Sequence, residues 1–515
     1  MLKVFSQLAG TPGRSSYHLT RFLILRLLGM VYFVAFLSLA QQGRPLIGSN
    51  GLLPAHSFLQ RAEGYFGSRS EAFGQLPSLF WWNDSDTFLR AMAVAGTLLS
   101  LLVMLGWANG VMLAALWALY LSFNHIGQDW YGYGWEIQLL ETGFLAIFLA
   151  PLWDWRPFPR RPPPLIVLWL FRWLAFRIML GAGLIKIRGD SCWRDLTCLQ
   201  YHYETQPIPN PLSRLLHFMP AWFHKMGVLC NHFVELAAPW FAFGPRLARH
   251  LSGFFMALFQ VILILSGNLS FLNWLTLIPV LACFDDSLLE RLLPRRLAER
   301  ARQAQGRAEP SRIKGAAVAA LALLVIWQSA GPVRNLLSER QAMNTSFNPL
   351  HLVNTYGAFG TVGRERPEII FEGTDEEALT DQTVWKAYEF PCKPGDPMRR
   401  PCLITPYHYR LDWQIWFAAM SSPQQYPWTV HLVWKLLHND AGALSLLAEN
   451  PFPDRPPRYI RARLFRYQFA PLDEQSGAWW KRTELGPWLP ALSKDDPRLL
   501  RFLEAHGWQT QVSAR

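Results

Sequence analysis

About nine stretches of this chain are apolar over the length that a bilayer core demands of a helix, roughly 20 residues. They run approximately over Phe22–Ala40, Ala91–Trp107, Val111–Asn124, Ile137–Trp153, Leu165–Ile185, Gly227–Phe243, Leu251–Gly267, Leu269–Phe284 and Gly315–Gly331. In lipid the backbone has to satisfy its own polar groups, which leaves the helix as the form for such runs. Only 17% of the residues are charged and 51% are hydrophobic, against about 25% charged in soluble domains. The expectation is an α-helical multi-span membrane bundle of about nine spans. Two pairs of runs are broken only at Asn109-Gly110 and Gly267-Asn268, turn dipeptides that suit tight hairpins.

The net charge of +12 would suggest nucleic acid in a soluble protein. Here the basic residues cluster in short loops between apolar runs, and no basic stripe with interleaved aromatics appears, so nucleic-acid binding is discarded. Charge instead sets orientation. With the N-terminus in the cytoplasm, the inside segments hold Lys3, Arg14, Arg21, Arg156, Arg160, Arg161, Arg246, Arg249, Arg291, Arg295, Arg296, Arg300, Arg302, Arg307, Arg312 and Lys314. The longer outside loops hold fewer basic residues, nearly balanced by acids. This bias puts the 188–225 loop and everything after Pro332 on the non-cytoplasmic side. Lys3 and Arg14 precede an apolar run without a small-residue cleavage site, so the first span is expected to be retained.

Up to about residue 331 the chain reads as one transmembrane domain that includes the 188–225 loop. From about Asn344 its character changes. Strand-like runs lie at Glu368–Gly373, Val384–Pro391, Tyr407–Trp413 and Tyr459–Ala470, and short helical patterns at Trp428–His438, Ala443–Glu449 and Arg498–His506, with Pro and Gly between them. The 344–515 segment is expected to form a strand-rich α+β domain on the non-cytoplasmic side.

Six cysteines are present. Cys230 and Cys283 lie within apolar runs and read as small hydrophobes. Cys192 with Cys198, and Cys392 with Cys402, form two local pairs on the side where disulfides persist. Structural disulfides are the simpler reading and thiol–disulfide exchange the sharper one, although neither pair has the two-residue spacing that activates a thiol. The Cys and His spacings match no structural-zinc pattern, and no metal or cofactor is expected.

Ionisable residues inside the apolar runs include Arg26, Glu141, Arg172, Arg177, His232 and Glu235. Charges in lipid face the bundle interior and pair. His232 and Glu235 are three apart and share a helix face; Arg172 and Arg177 are expected to meet Glu141 and Glu235. Ion pairing and a functional pocket are both open readings.

GDSCWRDLTCLQYHYETQPIPNPLSRLLHFMPAWFHK, followed by NHFVELAAPW, resembles the signature of the lipase maturation factor family. ETGFLAIFLAP, NTYGAFG, YEFPCKPGDPMRRPCLITPYHYRLDWQIWFAA and LLAENPFPDRPPRYIRARLFRYQF are similar to that family too. Fainter similarity links LRLLGMVYFVAFLSL to the membrane region of vitamin K-dependent γ-carboxylases and their bacterial relatives. The first resemblance implies a multi-pass protein that helps secreted lipases reach an active state in the endoplasmic reticulum, with no cofactor. The chain ends QVSAR, without a retention tetrapeptide. In a bacterium the setting would be the cytoplasmic membrane facing the periplasm, and the clients need not be lipases.

A maturation factor has to hold partly folded secreted proteins. The 188–225 loop offers Trp193, Tyr201, Tyr203, Phe218, Trp222 and Phe223 as apolar area. Leu212, Leu215, Leu216 and Met219 fit one face of a short helix able to lie in the membrane interface against lipid. Arg188, Asp190, Arg194 and Asp195 are expected to pair among themselves. His202 and Glu204 are too little to define an active site. The alternatives are a membrane enzyme related to γ-carboxylases or a thiol/quinone oxidoreductase at an intramembrane pocket, and a transporter or scaffold.

Overall fold

The computed structural model describes residues 16–304 and 312–508; Lys3, Arg14, Arg307 and the QVSAR end lie outside them. Helices α1 (His18–Ile47), α2 (Asp86–Leu105), α3 (Gly110–Ile126), α4 (Gly134–Leu149), α5 (Leu165–Arg188), α6 (Pro211–His217), α7 (Ala221–His232), α8 (Arg246–Ser266), α9 (Leu272–Val280) and α10 (Arg312–Gln328) form the bundle and its loop. Five helical segments, His18–Ile47, Asp86–Leu105, Leu165–Arg188, Arg246–Ser266 and Arg312–Leu337, are long and apolar enough to cross a membrane. The other runs are shorter or broken. The 227–243 run passes from α7 into a π-helical turn at Phe233–Ala237 and a 3-10 stretch at Ala238–Phe243, where Pro239 cannot continue an α-helix. Pro279 ends α9 in the same way.

Helix ends are set by side chains. Asn109 accepts from the Met112 N–H at 2.9 Å and starts α3, while Gly106, at φ +138°, ends α2. The first helix is capped from far along the chain. Asp286 accepts from the N–H groups of His18 and Leu19 at 2.8 and 2.9 Å, satisfying donors that a helix start leaves free. The second break is not a plain hairpin. The Asn268 side chain donates to Cys402 O at 2.9 Å and accepts from Ile404 N–H at 3.0 Å, and a Cβ at Gly267 would overlap Gln206.

Beyond the bundle, β1 (Arg366–Thr374), β2 (Lys386–Ala387), β3 (Tyr459–Phe469) and β4 (Trp480–Ser493) form an antiparallel sheet in the order β2-β1-β3-β4. Helices α11 (Arg410–Ala419) and α12 (Trp428–Leu436) pack with it, and α13 (Pro497–Ala505) packs against α12. Three expectations need correction. The Tyr407–Trp413 run is not a strand; it enters α11 at Arg410, and with residues 410–415 buried in succession a helix satisfies its backbone groups within itself. The Val384–Pro391 strand shrinks to two residues, and the 443–449 helix to one turn at Ala441–Leu444.

One hydrophobic core runs through both parts, from Tyr32, Leu140 and Leu174 through Tyr356 to Trp413, Trp428 and Ile460. The loop and the sheet part gather at one end of the bundle, with Gln42 donating to His408 O at 3.0 Å and Ser270 Oγ 2.9 Å from His408 Nδ1. At the other end Arg21 donates to Pro159 O at 2.9 Å and Thr20 to Phe284 O at 2.9 Å.

Candidate functional site

The 188–225 loop is welded to residues beyond 340. Its first turn, Ser191–Arg194, is capped by Asp190, which accepts from Cys192 N–H at 3.0 Å. Cys192 and Cys198 are joined as a disulfide with a Cα separation of 4.8 Å, and both are buried. Trp193 is only 2% exposed; its indole N–H donates to Phe359 O at 2.8 Å. The loop charges do not pair among themselves. Asp190 takes Arg364 at 2.8 Å, Arg188 donates to Gln341 at 2.9 Å, Arg194 donates to Ile187 O at 3.2 Å, and Asp195 N–H closes the turn on Ser191 O. Tyr201 lies 4.7 Å beneath the Arg364 guanidinium. The partners of Arg188 and Asp190 sit more than 150 residues away, beyond the reach of any local pattern.

His202 and Glu204 lie two apart on the helical turn Leu199–Thr205 and diverge. The His202 ring meets Phe359 edge-on at 4.7 Å, and burial pushes its imidazole down to about 4. The Glu204 carboxylate accepts from Phe469 N–H at 2.7 Å; burial raises its pKa, opposed by that bond. The Arg364 pair holds Asp190 below the usual carboxylate range. Arg366, fully buried, donates to the carbonyls of Glu204 (3.0 Å), Gln206 and Pro207 (2.8 Å), and pairs with Glu368 at 2.6 Å. Lys393 stands 3.2 Å from the same carboxylate.

Within the bundle, Glu141 is the hub. It pairs with Arg177 and accepts from Asn354 N–H at 3.0 Å, Asn354 Nδ2 at 3.1 Å and the Tyr356 hydroxyl at 2.7 Å. Arg177 also donates to Asn354 O at 2.7 Å. NTYGAFG therefore enters the bundle, with Tyr356 O seated against Gly181 of α5, where a side chain would collide. Among the described residues Arg172 meets no carboxylate: it donates to Ala282 O at 2.9 Å and Tyr17 OH at 3.2 Å. Glu235, on the π turn, instead takes Lys186 at 2.6 Å, and Asn231 bridges the two. His232 turns away from Glu235 to Trp193 O at 2.9 Å.

A second clamp escaped sequence reading. Arg410 pairs with Glu136 at 2.8 Å and donates to Trp130 O at 2.5 Å, with its guanidinium 3.6 Å over the Tyr131 ring. Trp135 donates to the same carboxylate at 2.9 Å. Glu136 sits at the start of an apolar run, where it reads as a solvated helix-end charge. Cys392 and Cys402 form the second disulfide, Cα separation 5.5 Å. It is held by Asp412, which accepts from Cys392 N–H and Lys393 N–H at 2.7 and 2.8 Å; burial pushes Asp412 up to about 6 against those bonds.

The family described as Lipase maturation factor transmembrane domain matches residues 19–291, and the Lipase maturation factor C-terminal domain matches residues 352–490. Lipase maturation factor 1 of Bos taurus is 51% identical over 95% of this chain and 92% of its own length; that of Homo sapiens is 49% identical over 97% and 92%. Lipase maturation factor 2 of Xenopus laevis is 30% identical over 97% and 86%. No solved structure matches. With both domains matched and half of the residues shared along nearly the whole length, this membrane protein belongs to the lipase maturation factor family.

Proposed function

We propose that this protein brings lipases to their active, assembled state, acting as a membrane-anchored factor. Its working part is the loop of residues 188–225 joined to the domain from about 344 to 515, both non-cytoplasmic and carried by a membrane domain that ends near 331. The observation that carries this reading is the near-full-length identity of 51% to a protein named lipase maturation factor 1. The arginine bias supports the orientation, as does the gathering of the expected outside segments at one bundle end. Two disulfides in those segments support an oxidising compartment: the endoplasmic reticulum lumen, or the periplasm in a bacterium. In the nine-span reading the shorter helices complete the crossings. Glu141 already receives five donors from Arg177, Asn354 and Tyr356, and a carboxylate has about four lone-pair sites; this favours a structural over a ligand-binding role for the intramembrane charges.

The test is rescue. Cells deprived of their own maturation factor are given this chain, and secreted lipase is measured both as activity and as mass. Restored activity per unit of lipase is the expected result. Unchanged specific activity, with the chain present and correctly inserted, overturns the proposal.

A further inference from the structure

The loop carries an apolar face that neither the bundle nor the sheet covers. On α6 and α7, Leu212, Leu215, Phe218, Trp222, Met226 and Leu229 recur every three or four residues, and each is between 40% and 67% exposed. The opposite face is built inward: Ser213, His224, Val228 and Asn231 are buried, and Val228 packs against the Cys192–Cys198 disulfide. Asn210 caps α6 by accepting from Leu212 and Ser213 N–H at 3.0 Å. From Pro211 to Phe233 the sequence has no Asp or Glu, while Lys225 is exposed. Water-facing surfaces rarely leave so continuous a patch open.

What covers it follows from continuity. Phe233, at the end of α7, meets Phe255 of α8 edge-on at 5.3 Å. Helix α8 is long and apolar enough to cross the membrane, and its outer face exposes Phe254, Leu258 and Ile262. The stripe on α6 and α7 therefore runs without a break into a face that meets acyl chains. We infer that α6 and α7 form a monotopic ramp sunk in the non-cytoplasmic leaflet, with lipid as the occupant of the exposed stripe. An amphipathic helix of this kind buries its apolar face by about 5–10 Å at the headgroup boundary. The acid-free sequence and Lys225 suit anionic headgroups. Arg214 then ties the ramp to the sheet domain, donating to Ala470 O at 2.8 Å and to Pro471 O, with its guanidinium 4.9 Å over Trp479. The sheet domain is thereby held close over the bilayer.

The inference rests on the membrane placement and is independent of the client. Cys230 of α7 is an exposed free thiol, Cys283 is buried, and the other four cysteines are in disulfides, so the native chain takes one polarity-sensitive fluorophore without substitution. The labelled full chain is reconstituted in phosphatidylcholine–phosphatidylserine vesicles and quenched with acyl-chain nitroxide lipid or aqueous iodide. Trp222→Cys in a Cys230→Ser background gives a second site, and Val384→Cys in that background, on the exposed sheet domain, gives the aqueous control. Quenching by nitroxide lipid but not iodide at positions 222 and 230, with the reverse at 384, is expected. Iodide quenching at 222 and 230 equal to that at 384 overturns the ramp. So does shielding from both quenchers, which would mean that protein, a second copy or a client, covers the stripe.

Discussion

Replacing Arg366 by Met separates a docked loop from a merely adjacent one. The guanidinium is fully buried and serves three carbonyls, of Glu204, Gln206 and Pro207, besides Glu368. Hydrogen bonds to a charged group contribute about 1.5–3 kcal/mol each, which sets a ceiling near the sum of the three. A loop that peels away regains water, and Lys393 still neutralises Glu368. The expected cost is therefore about 3–5 kcal/mol, the usual loss when one partner leaves a buried pair. Two amides cross this seam: Phe469 N–H on the Glu204 carboxylate at 2.7 Å and Asn268 N–H on Ile208 O at 3.1 Å. At about 1.4 kcal/mol per tenfold, both should exchange with deuterium about a hundredfold or more faster in the variant, measured on the full chain in detergent. Arg366→Lys keeps the charge and three donors but lacks the planar guanidinium fork that spans these carbonyls and Glu368, and should fall between. The reasoning fails if exchange at Phe469 and Asn268 is unchanged in Arg366→Met. It fails equally if α2 (Asp86–Leu105), which makes none of these contacts, is accelerated to the same extent.

Glu141→Gln strands the Arg177 charge inside the bundle and should cost about 3–5 kcal/mol, whereas Glu141→Leu with Arg177→Met should recover most of it; thermal unfolding followed by tryptophan fluorescence compares them. Gly181→Val presses a side chain into Tyr356 O and should destabilise by about 1–3 kcal/mol through overpacking, with faster proteolysis between residues 343 and 364. Burial pushes His202 down to about 4 and His431 to about 3. Both imidazoles are weaker bases folded than unfolded, so their stabilising contribution is complete above about 6.5 and drains away as the pH falls toward those values. The melting temperature should drop between pH 7 and 5, and His202→Phe or His431→Phe should flatten that profile.

The apolar runs and the turn at Asn109-Gly110 could be read because hydrophobic length and capping chemistry are local. The nature of the 227–243 run could not, since its π turn answers to Lys186, 49 residues upstream on another helix. Tyr407, Tyr409, Leu411 and Trp413 alternate like a strand, yet the chain is helical from Arg410, whose partner Glu136 lies 274 residues upstream. Strand β4 was invisible behind Gly486, Pro487 and Pro490, which its bulged pairing with β3 tolerates at a sheet edge. The loop is dense in aromatic and polar residues, but Trp193, Tyr203 and His202 are spent inside the protein. Aromatic density in a sequence does not say whether a ring faces a partner or the far end of its own chain. Arg188 and Asp190 likewise find their partners only once folding brings residues 341 and 364 beside them.

Glu141 draws three of its donors from Asn354 and Tyr356, more than 200 residues downstream. The hydrophobic half of the protein is thus chemically unfinished until the ribosome has passed that point. A prematurely terminated chain, even one with every crossing helix intact, would carry a glutamate short of hydrogen-bond donors in the middle of its bundle. Nonsense mutations between the last crossing helix and Tyr356 should for that reason be felt within the bilayer, and not solely in the part they delete.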